Sequence, residues 1–230
     1  MTAGDEPVPT WLRELAAAAR TMQVPAQLRP PAEGGRRSAV LVLFAAGPQG
    51  PDDPVLLFIQ RSASLRLHAG QPGFPGGVIE ATDSGPVGAA LREAAEEVGV
   101  DPRGIDVLST LPELFIPPTG FRVAPVLAWW RQPRAVAAVD PGEVAAVERI
   151  SVTELADPAN RVTVWRPGRL IGPGFQVKGL LIWGFTAALV DRLLALGGWE
   201  VPWDRGVVRE ITADGGPGEV FPASEERPIP

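Results

Sequence analysis

The chain has 230 residues, with 27 Asp and Glu against 21 Lys and Arg, a formal charge of −6, one histidine and no cysteine. That charge balance argues against general nucleic-acid binding, and the missing cysteines exclude disulfides, thiolate metal ligands and a cysteine nucleophile. No apolar run approaches the roughly 18–20 residues of a membrane span, and the length suits one core-bearing domain with tails.

In chain order, Met1 to Pro9 shows no basic-then-apolar export pattern, so a cytoplasmic location is expected. Trp11 to Met22 reads as a short amphipathic helix, and the Pro/Gly/Arg stretch from Pro25 to Arg37 as a loop. Ser38 to Ala46 and Val55 to Arg61 are rich in Val, Leu and Phe and predict two buried strands joined as a hairpin. Pro86 suits the first turn of a helix and Gly99 its stop, which predicts a helix over 86–98 with Ala89, Ala90, Ala94 and Val98 facing the core. Ile105 to Leu114 and Phe121 to Trp129 read as further strands, Val152 to Leu155 as a helical turn, and Val162 to Trp165 and Phe175 to Val177 as short strands. Gly179 to Leu196 reads as a closing helix, interrupted by Asp191 and Arg192 and so not a membrane segment. From Asp204 on, Pro, Gly and charge dominate, which predicts a disordered tail. The domain reading is therefore residues 1–37 as helix and loop, 38–203 as the core domain, and 204–230 as tail.

The helix over 86–98 carries Glu93, Glu96 and Glu97 in its last turns. Glu93 and Glu97 are an i, i+4 pair whose like charges repel by a few tenths of a kcal/mol, and carboxylates at a helix C-terminus are disfavoured by roughly 0.3–1 kcal/mol. A run of glutamates is often only a solvated face. Here Phe74-Pro75-Gly76-Gly77 stands just before the helix, and a Gly-rich loop feeding an acidic helix suits a hard divalent cation and a diphosphate.

The run Arg92-Glu93-Ala94-Ala95-Glu96-Glu97-Val98-Gly99-Val100 resembles the second half of the Nudix box: Arg-Glu, an apolar residue, any residue, Glu-Glu, any residue, Gly, apolar. The first half departs from that pattern. Arg92 lies fifteen positions after Gly77 instead of fourteen, and the box's first glutamate is replaced by Asp83, Ser84 or Glu80. Arg61-Ser62, Arg66, Gly70 and Phe74-Pro75-Gly76-Gly77 also follow the spacing of the extra signature of the coenzyme A diphosphatases, with Phe58 and Ile59 where that signature has Leu and Thr. Leu111-Pro112, Pro117, Gly120-Phe121 and Val123-Ala124-Pro125-Val126 resemble the segment after the box in that branch, and Ile182-Trp183-Gly184-Phe185-Thr186-Ala187 its C-terminal helix.

The resemblance implies an α/β/α sandwich with a mixed β-sheet, and Mg2+ or Mn2+ held by Glu93, Glu96 and Glu97. Arg92 would pair with Glu96 at i, i+4 and orient it, and Glu143 would serve as general base or extra ligand, against a reading as a surface-loop glutamate. Arg61, Arg66, Gly76 and Gly77 would bind substrate phosphates, since a guanidinium fork suits phosphate oxygens. His68 is read as packing or loop structure, and Trp129, Trp130 and Trp183 as core rather than base-stacking residues. The implied activity is metal-dependent hydrolysis of a diphosphate linkage, with coenzyme A as the substrate. Two alternatives stay open: another nucleoside diphosphate substrate, or a non-catalytic Nudix-fold nucleotide-binding module. The expected partner is a small nucleotide, with neither nucleic acid nor membrane, and no residue pattern decides between a monomer and a homodimer.

Overall fold

The computed structural model describes residues 6–65, 68–117, 119–166, 169–212 and 217–221. Helix α1 (Thr10–Arg20) precedes two long strands, β1 (Arg36–Gly47) and β2 (Gly50–Arg61), followed by the short strands β3 (Pro72–Gly73) and β4 (Gly76–Val78). Helix α2 (Pro86–Val98) leads into β5 (Ile105–Thr110), β6 (Leu114–Ile116), β7 (Phe121–Trp130) and β8 (Val144–Ser151). The remainder is α3 (Val152–Ala156), β9 (Arg161–Arg166), β10 (Arg169–Val177), β11 (Leu180–Ile182), α4 (Gly184–Leu196), β12 (Val208–Ile211) and β13 (Pro217–Phe221).

The main sheet is mixed: β1 runs parallel to β7 and antiparallel to β2, and β5 and β8 close its two sides. Its central strands read as nearly continuous apolar runs because both faces are covered. Successive side chains of β1 alternate between faces. Ala39, Leu41, Leu43 and Ala45 pack with Ala89, Ala90, Ala94 and Val98 of α2, while Val42 and Phe44 pack with Leu12 and Leu15 of α1 and Leu189 and Leu193 of α4. The outcome is the α/β/α sandwich expected from sequence. Three alanines on the buried face of α2 let that helix approach the sheet closely, which brings its glutamates down against the backbone of β4. On the opposite face, Trp11 of α1 makes edge contacts with Phe44, Trp129 and Trp199 at 5.1–6.2 Å between centroids.

One detail of the hairpin positions everything that follows. β1 and β2 pair only between Phe44–Gly47 and Gly50–Leu56. Beyond that the strands part: β4 takes over as the partner of β1 at Ser38–Val40, and β3 as the partner of β2 at Ile59–Gln60. The segment Pro72–Val78 is therefore a wedge in the fork of the hairpin, fastened by the Leu41 N–H donating to the Pro75 carbonyl at 2.8 Å.

Several elements differ from the sequence reading. The closing helix starts at Gly184 rather than Gly179, because Lys178 and Gly179, with φ of 52° and 75°, make a tight turn that folds Leu180–Ile182 back onto β10 as a strand. A short apolar run has no periodicity to separate strand from helix. The strand expected over Ile105 to Leu114 is two, β5 and β6, parted by Leu111, Pro112 and Glu113. β8 was not foreseen, since Val144–Ser151 interleaves Ala, Glu and Arg with its apolar residues and lies along the outer side of β2. The segment read as a disordered tail contributes β12 and β13 to a second, five-stranded sheet in the order β11-β10-β9-β12-β13; residues 222–230 lie outside the described residues. Among the described residues no helix is long and apolar enough to cross a membrane.

Candidate active site

The wedge and helix α2 meet at two glycines. A Cβ on Gly77 would lie 2.3 Å from Glu93 Oε1, and one on Gly76 would lie 2.3 Å from the Ala39 carbonyl oxygen. Only glycine lets the helix carboxylates and strand β1 close on this backbone. The Gly76 N–H donates to Glu97 Oε2 at 2.9 Å. Glu97 is 5% exposed, and burial pushes its carboxyl up to about 7, with Glu93 and Glu143 adding repulsion while the Gly76 N–H and Arg61 act in the other direction. Burial likewise raises Glu93, opposed by Arg92 and reinforced by Glu96 and Glu143. Glu143, distant in sequence, thus stands close enough for its charge to bear on both helix carboxylates.

Arg92 ties the acidic helix to the loop before it. Its Nε and Nη2 donate to the two carboxylate oxygens of Asp83, both at 3.0 Å, Nη1 donates to Glu93 and Glu96 at 3.0 Å, and Nη2 also reaches the Val78 carbonyl at 3.1 Å. These bonds, Asp83 first, raise the guanidinium pKa further above its ordinary value, and the same bonds hold the Asp83 carboxyl below the ordinary aspartate range. The sequence left Asp83, Ser84 and Glu80 as alternatives for the missing loop glutamate. Of these, Asp83 forms the two-pronged contact with Arg92, while Glu80 donates its backbone N–H to Asp83 Oδ2 at 2.8 Å. The Ser84 hydroxyl faces Gly88, 2.6 Å from where a Cβ there would stand.

Arg61 ends β2 at a register shift between Gln60 and Arg61 opposite β8, an irregularity that re-aims a side chain. Its Nη1 lies 3.7 Å from Glu97 Oε1, and its Nε is buried with no hydrogen-bond partner among the described residues. The next residue binds Glu143 into place: the Ser62 N–H donates to the Glu143 carbonyl at 2.8 Å. The structure thus brings Arg61, Gly76, Gly77, Arg92, Glu93, Glu96, Glu97 and Glu143 to one end of the sheet. Arg66 lies outside the described residues. His68 shares a 2.9 Å hydrogen bond with Gln71 within its own loop, Trp129 and Trp130 are buried in the core, and Trp183 packs with the small apolar cluster of the second sheet. What sequence reasoning missed is the Arg61–Glu97 contact and the coupling of Ser62 to Glu143. Their only sequence signal is the Arg-Ser pair at the end of an apolar strand.

The donor set can be tested for a metal from its own chemistry. Among the described residues, no group of three or more His, Cys, Asp or Glu side chains is already drawn into a metal cage. The donors themselves fit a hard divalent cation. They are all carboxylate oxygens, they repel one another, and Glu97 is held buried with one backbone donor and a guanidinium at 3.7 Å for compensation.

Comparison with known proteins gives the family. The NUDIX domain model matches residues 35–167. A protein of Cronobacter sakazakii described as the uncharacterised Nudix hydrolase NudL is 37% identical over 165 residues, covering 69% of this chain and 81% of that protein. The protein of the same description from Pectobacterium atrosepticum is 35% identical over 181 residues, covering 75% and 88%. The crystal structure of the Nudix hydrolase RenU from M. smegmatis shares the fold with a TM-score of 0.52 and 20% identity, covering 77% of this chain and 98% of that one. The chain belongs to the Nudix hydrolase family. It is a hydrolase of phosphoanhydride bonds acting on a nucleoside diphosphate derivative, in a family whose members generally need a divalent metal such as Mg2+ or Mn2+.

Proposed function

We propose that the substrate is coenzyme A, cleaved at its diphosphate into 4'-phosphopantetheine and adenosine 3',5'-bisphosphate. The observation that carries this reading is Arg61. It opens the Arg-Ser…Phe-Pro-Gly-Gly segment that resembles the coenzyme A signature, it reaches Glu97, and it holds a buried Nε donor without an acceptor among the described residues. An unsatisfied buried donor costs about 1–3 kcal/mol. A phosphate oxygen is the acceptor that a guanidinium fork suits. The signature segment also returns through Gln71, whose carbonyl accepts from the Arg61 N–H at 3.1 Å, so the residues that would select the substrate are fastened to those that would hold its diphosphate.

Glu93, Glu96 and Glu97 would hold Mg2+ or Mn2+, which when bound neutralises charge on the diphosphate and lowers the pKa of an attacking water. Arg92, fixed by Asp83, keeps the Glu93 and Glu96 carboxylates oriented. Gly76 and Gly77 keep the wedge thin enough for the diphosphate to approach its backbone. Arg61, with Arg66 of the same signature, binds phosphate oxygens. Glu143 accepts the proton of the attacking water as its oxygen bonds to phosphorus, while the bridging P–O bond breaks and its electron pair leaves with the departing phosphate.

The test is incubation with coenzyme A and a panel of nucleoside diphosphate derivatives in Mg2+ or Mn2+, with products identified by mass and Glu97→Gln as control. Release of 4'-phosphopantetheine that disappears in the variant is the expected result. Turnover of another panel member alone would replace the substrate and keep the chemistry.

A further inference from the structure

Arg37 of β1 and Arg122 of β7 stand opposite one another in the parallel pairing of these strands. Like charges directly opposite disfavour pairing. Beside them, Arg36 lies over the Phe121 ring at 5.6 Å. In a chain of net charge −6, three arginines gathered at one end of a parallel strand pair are an uneven distribution of charge.

A single carboxylate spans the opposed pair. Glu113 Oε1 accepts from Nε and Nη2 of Arg37 at 3.3 and 3.2 Å, and Oε2 from Nε and Nη2 of Arg122 at 3.0 and 2.7 Å. One negative charge thus holds two guanidiniums, and the cluster keeps a positive excess. The Arg37 side chain remains 56% exposed, and exposed ion pairs of this kind add little to stability. The position is the informative part. The Ile79 N–H donates to the Arg37 carbonyl at 3.1 Å, Ser38 pairs with Val78, and the Val78 carbonyl accepts from Arg92. Alternation along β1 puts Arg37 on the same face as Ala39, the face covered by α2. The cationic lip therefore borders the carboxylate cluster across the width of β4.

We propose that Arg37 and Arg122, spaced and aimed by Glu113, bind a phosphomonoester of the substrate separate from the diphosphate that is cleaved. The inference rests on the reading of the site as one for a nucleoside diphosphate derivative, and gives coenzyme A, which carries such a ribose phosphate, a place to put it. A phosphomonoester at neutral pH has close to two negative charges and several acceptor oxygens. Glu113 takes the Nε–Nη2 edge of both guanidiniums and Arg122 Nη1 donates to the Gly34 carbonyl at 3.5 Å, so the phosphate would meet the outer edge of the exposed Arg37, with the charge of Arg122 beside it.

The experiment measures binding of adenosine 3',5'-bisphosphate and of 5'-AMP by calorimetry, in Mg2+, to the full chain and to Arg37→Ala and Arg37→Lys. Arg37 is exposed, so these variants retain the fold, which circular dichroism checks. The expected result is that the wild type prefers the bisphosphate by about 10- to 100-fold, the size of a charge-assisted contact. That preference falls towards one in Arg37→Ala and stays intermediate in Arg37→Lys, which keeps the charge and loses the fork. Equal binding of the two nucleotides by the wild type, or an undiminished preference in Arg37→Ala, overturns the proposal. Turnover is scored separately with coenzyme A and 3'-dephospho-coenzyme A. A wild type that discriminates between the nucleotides but leaves both coenzymes intact would sink the substrate assignment and keep the lip. One that cleaves coenzyme A without discriminating would do the reverse.

Discussion

Two buried charges, Arg161 in the second sheet and Glu97 in the helix that covers the main sheet, are treated in opposite ways. Arg161 of the second sheet is 1% exposed, yet it is paired with Asp191 of α4 and lies between the rings of Phe175 and Trp203, at 4.4 and 4.7 Å from their centroids. Its Nε and Nη1 lack hydrogen-bond acceptors among the described residues, but its charge is met by a carboxylate and two ring faces. Glu97 of helix α2, packed against the main sheet, is buried almost as deeply, but its compensation is one backbone N–H and a guanidinium 3.7 Å away, with Glu93 and Glu143 repelling it. A charge that serves the fold is met by an opposite charge and by aromatic faces. One that is left under-compensated marks where something else is meant to bind.

The sharpest way to break this contrast is Glu97→Gln. The amide keeps an oxygen for the Gly76 N–H and loses the charge, so turnover should fall on the order of 10^3-fold if the carboxylate is needed for metal-assisted chemistry. Stability of the metal-free protein should move the other way. The folded pKa of Glu97, about 7, lies above its ordinary 4.5. The folded state is therefore favoured at low pH and loses that advantage as pH rises through about 7, by on the order of 3 kcal/mol at most. In EDTA, the wild type should melt below Glu97→Gln at pH 8, and the difference should close towards pH 4. A variant less stable at pH 8 would mean that Glu97 is as well matched as Arg161. Arg161→Ala is the converse, expected to cost about 3–5 kcal/mol in denaturant midpoints by stranding Asp191 and leaving a gap between two rings. Arg161→Met with Asp191→Leu should recover most of that loss, because removing both charges removes the need for either.

The two regions also differ in how far the sequence revealed them. The acidic helix was legible because its period, its Pro86 start and its Gly99 stop are local signals, and its three alanines mark the buried face. The hairpin strands were legible as apolar runs. The fork that admits Pro72–Val78 was not, since nothing in two apolar strands says where they stop pairing. The second sheet was hidden for a related reason: β12 and β13 are short and sit among Pro and Gly, β12 pairs with β9 more than forty positions earlier, and β13 joins the sheet through β12. Nothing beside Arg161 in the sequence signals its burial, because its rings come from Phe175 and Trp203. Within the site, Arg92 and Glu96 were readable as an i, i+4 pair, whereas Asp83 and Glu143 meet the helix only through loop geometry.

Gly77→Ala probes how closely α2 must approach the wedge. Its Cβ would collide with the Glu93 carboxylate, so a loss of about 1–3 kcal/mol of stability is expected from overpacking, visible as a lowered melting temperature. Turnover should drop with it, because Glu93 cannot move without leaving Arg92. Unchanged activity would show that the position of Glu93 is not critical.

Asp83→Asn is the smallest perturbation and refines the contrast most finely, because Arg92, among the described residues of the site, is the cation whose guanidinium nitrogens are all hydrogen-bonded. The bonds from Arg92 hold Asp83 below the ordinary aspartate range. Its contribution to stability is therefore present above about pH 3.9, the unperturbed value, and fades as pH falls through the lower folded value. Wild type and variant should differ in melting temperature at pH 7 and converge in strong acid. Freed from Asp83, Arg92 keeps Glu93 and Glu96 as partners but is no longer braced against the loop, so Mn2+ affinity should weaken by about tenfold, as for other residues that orient a metal's ligands. Unaltered metal affinity together with lost stability would make Asp83 a brace for the loop alone, and would place the Asp83–Arg92 pair with Arg161–Asp191 among the charges that serve the fold.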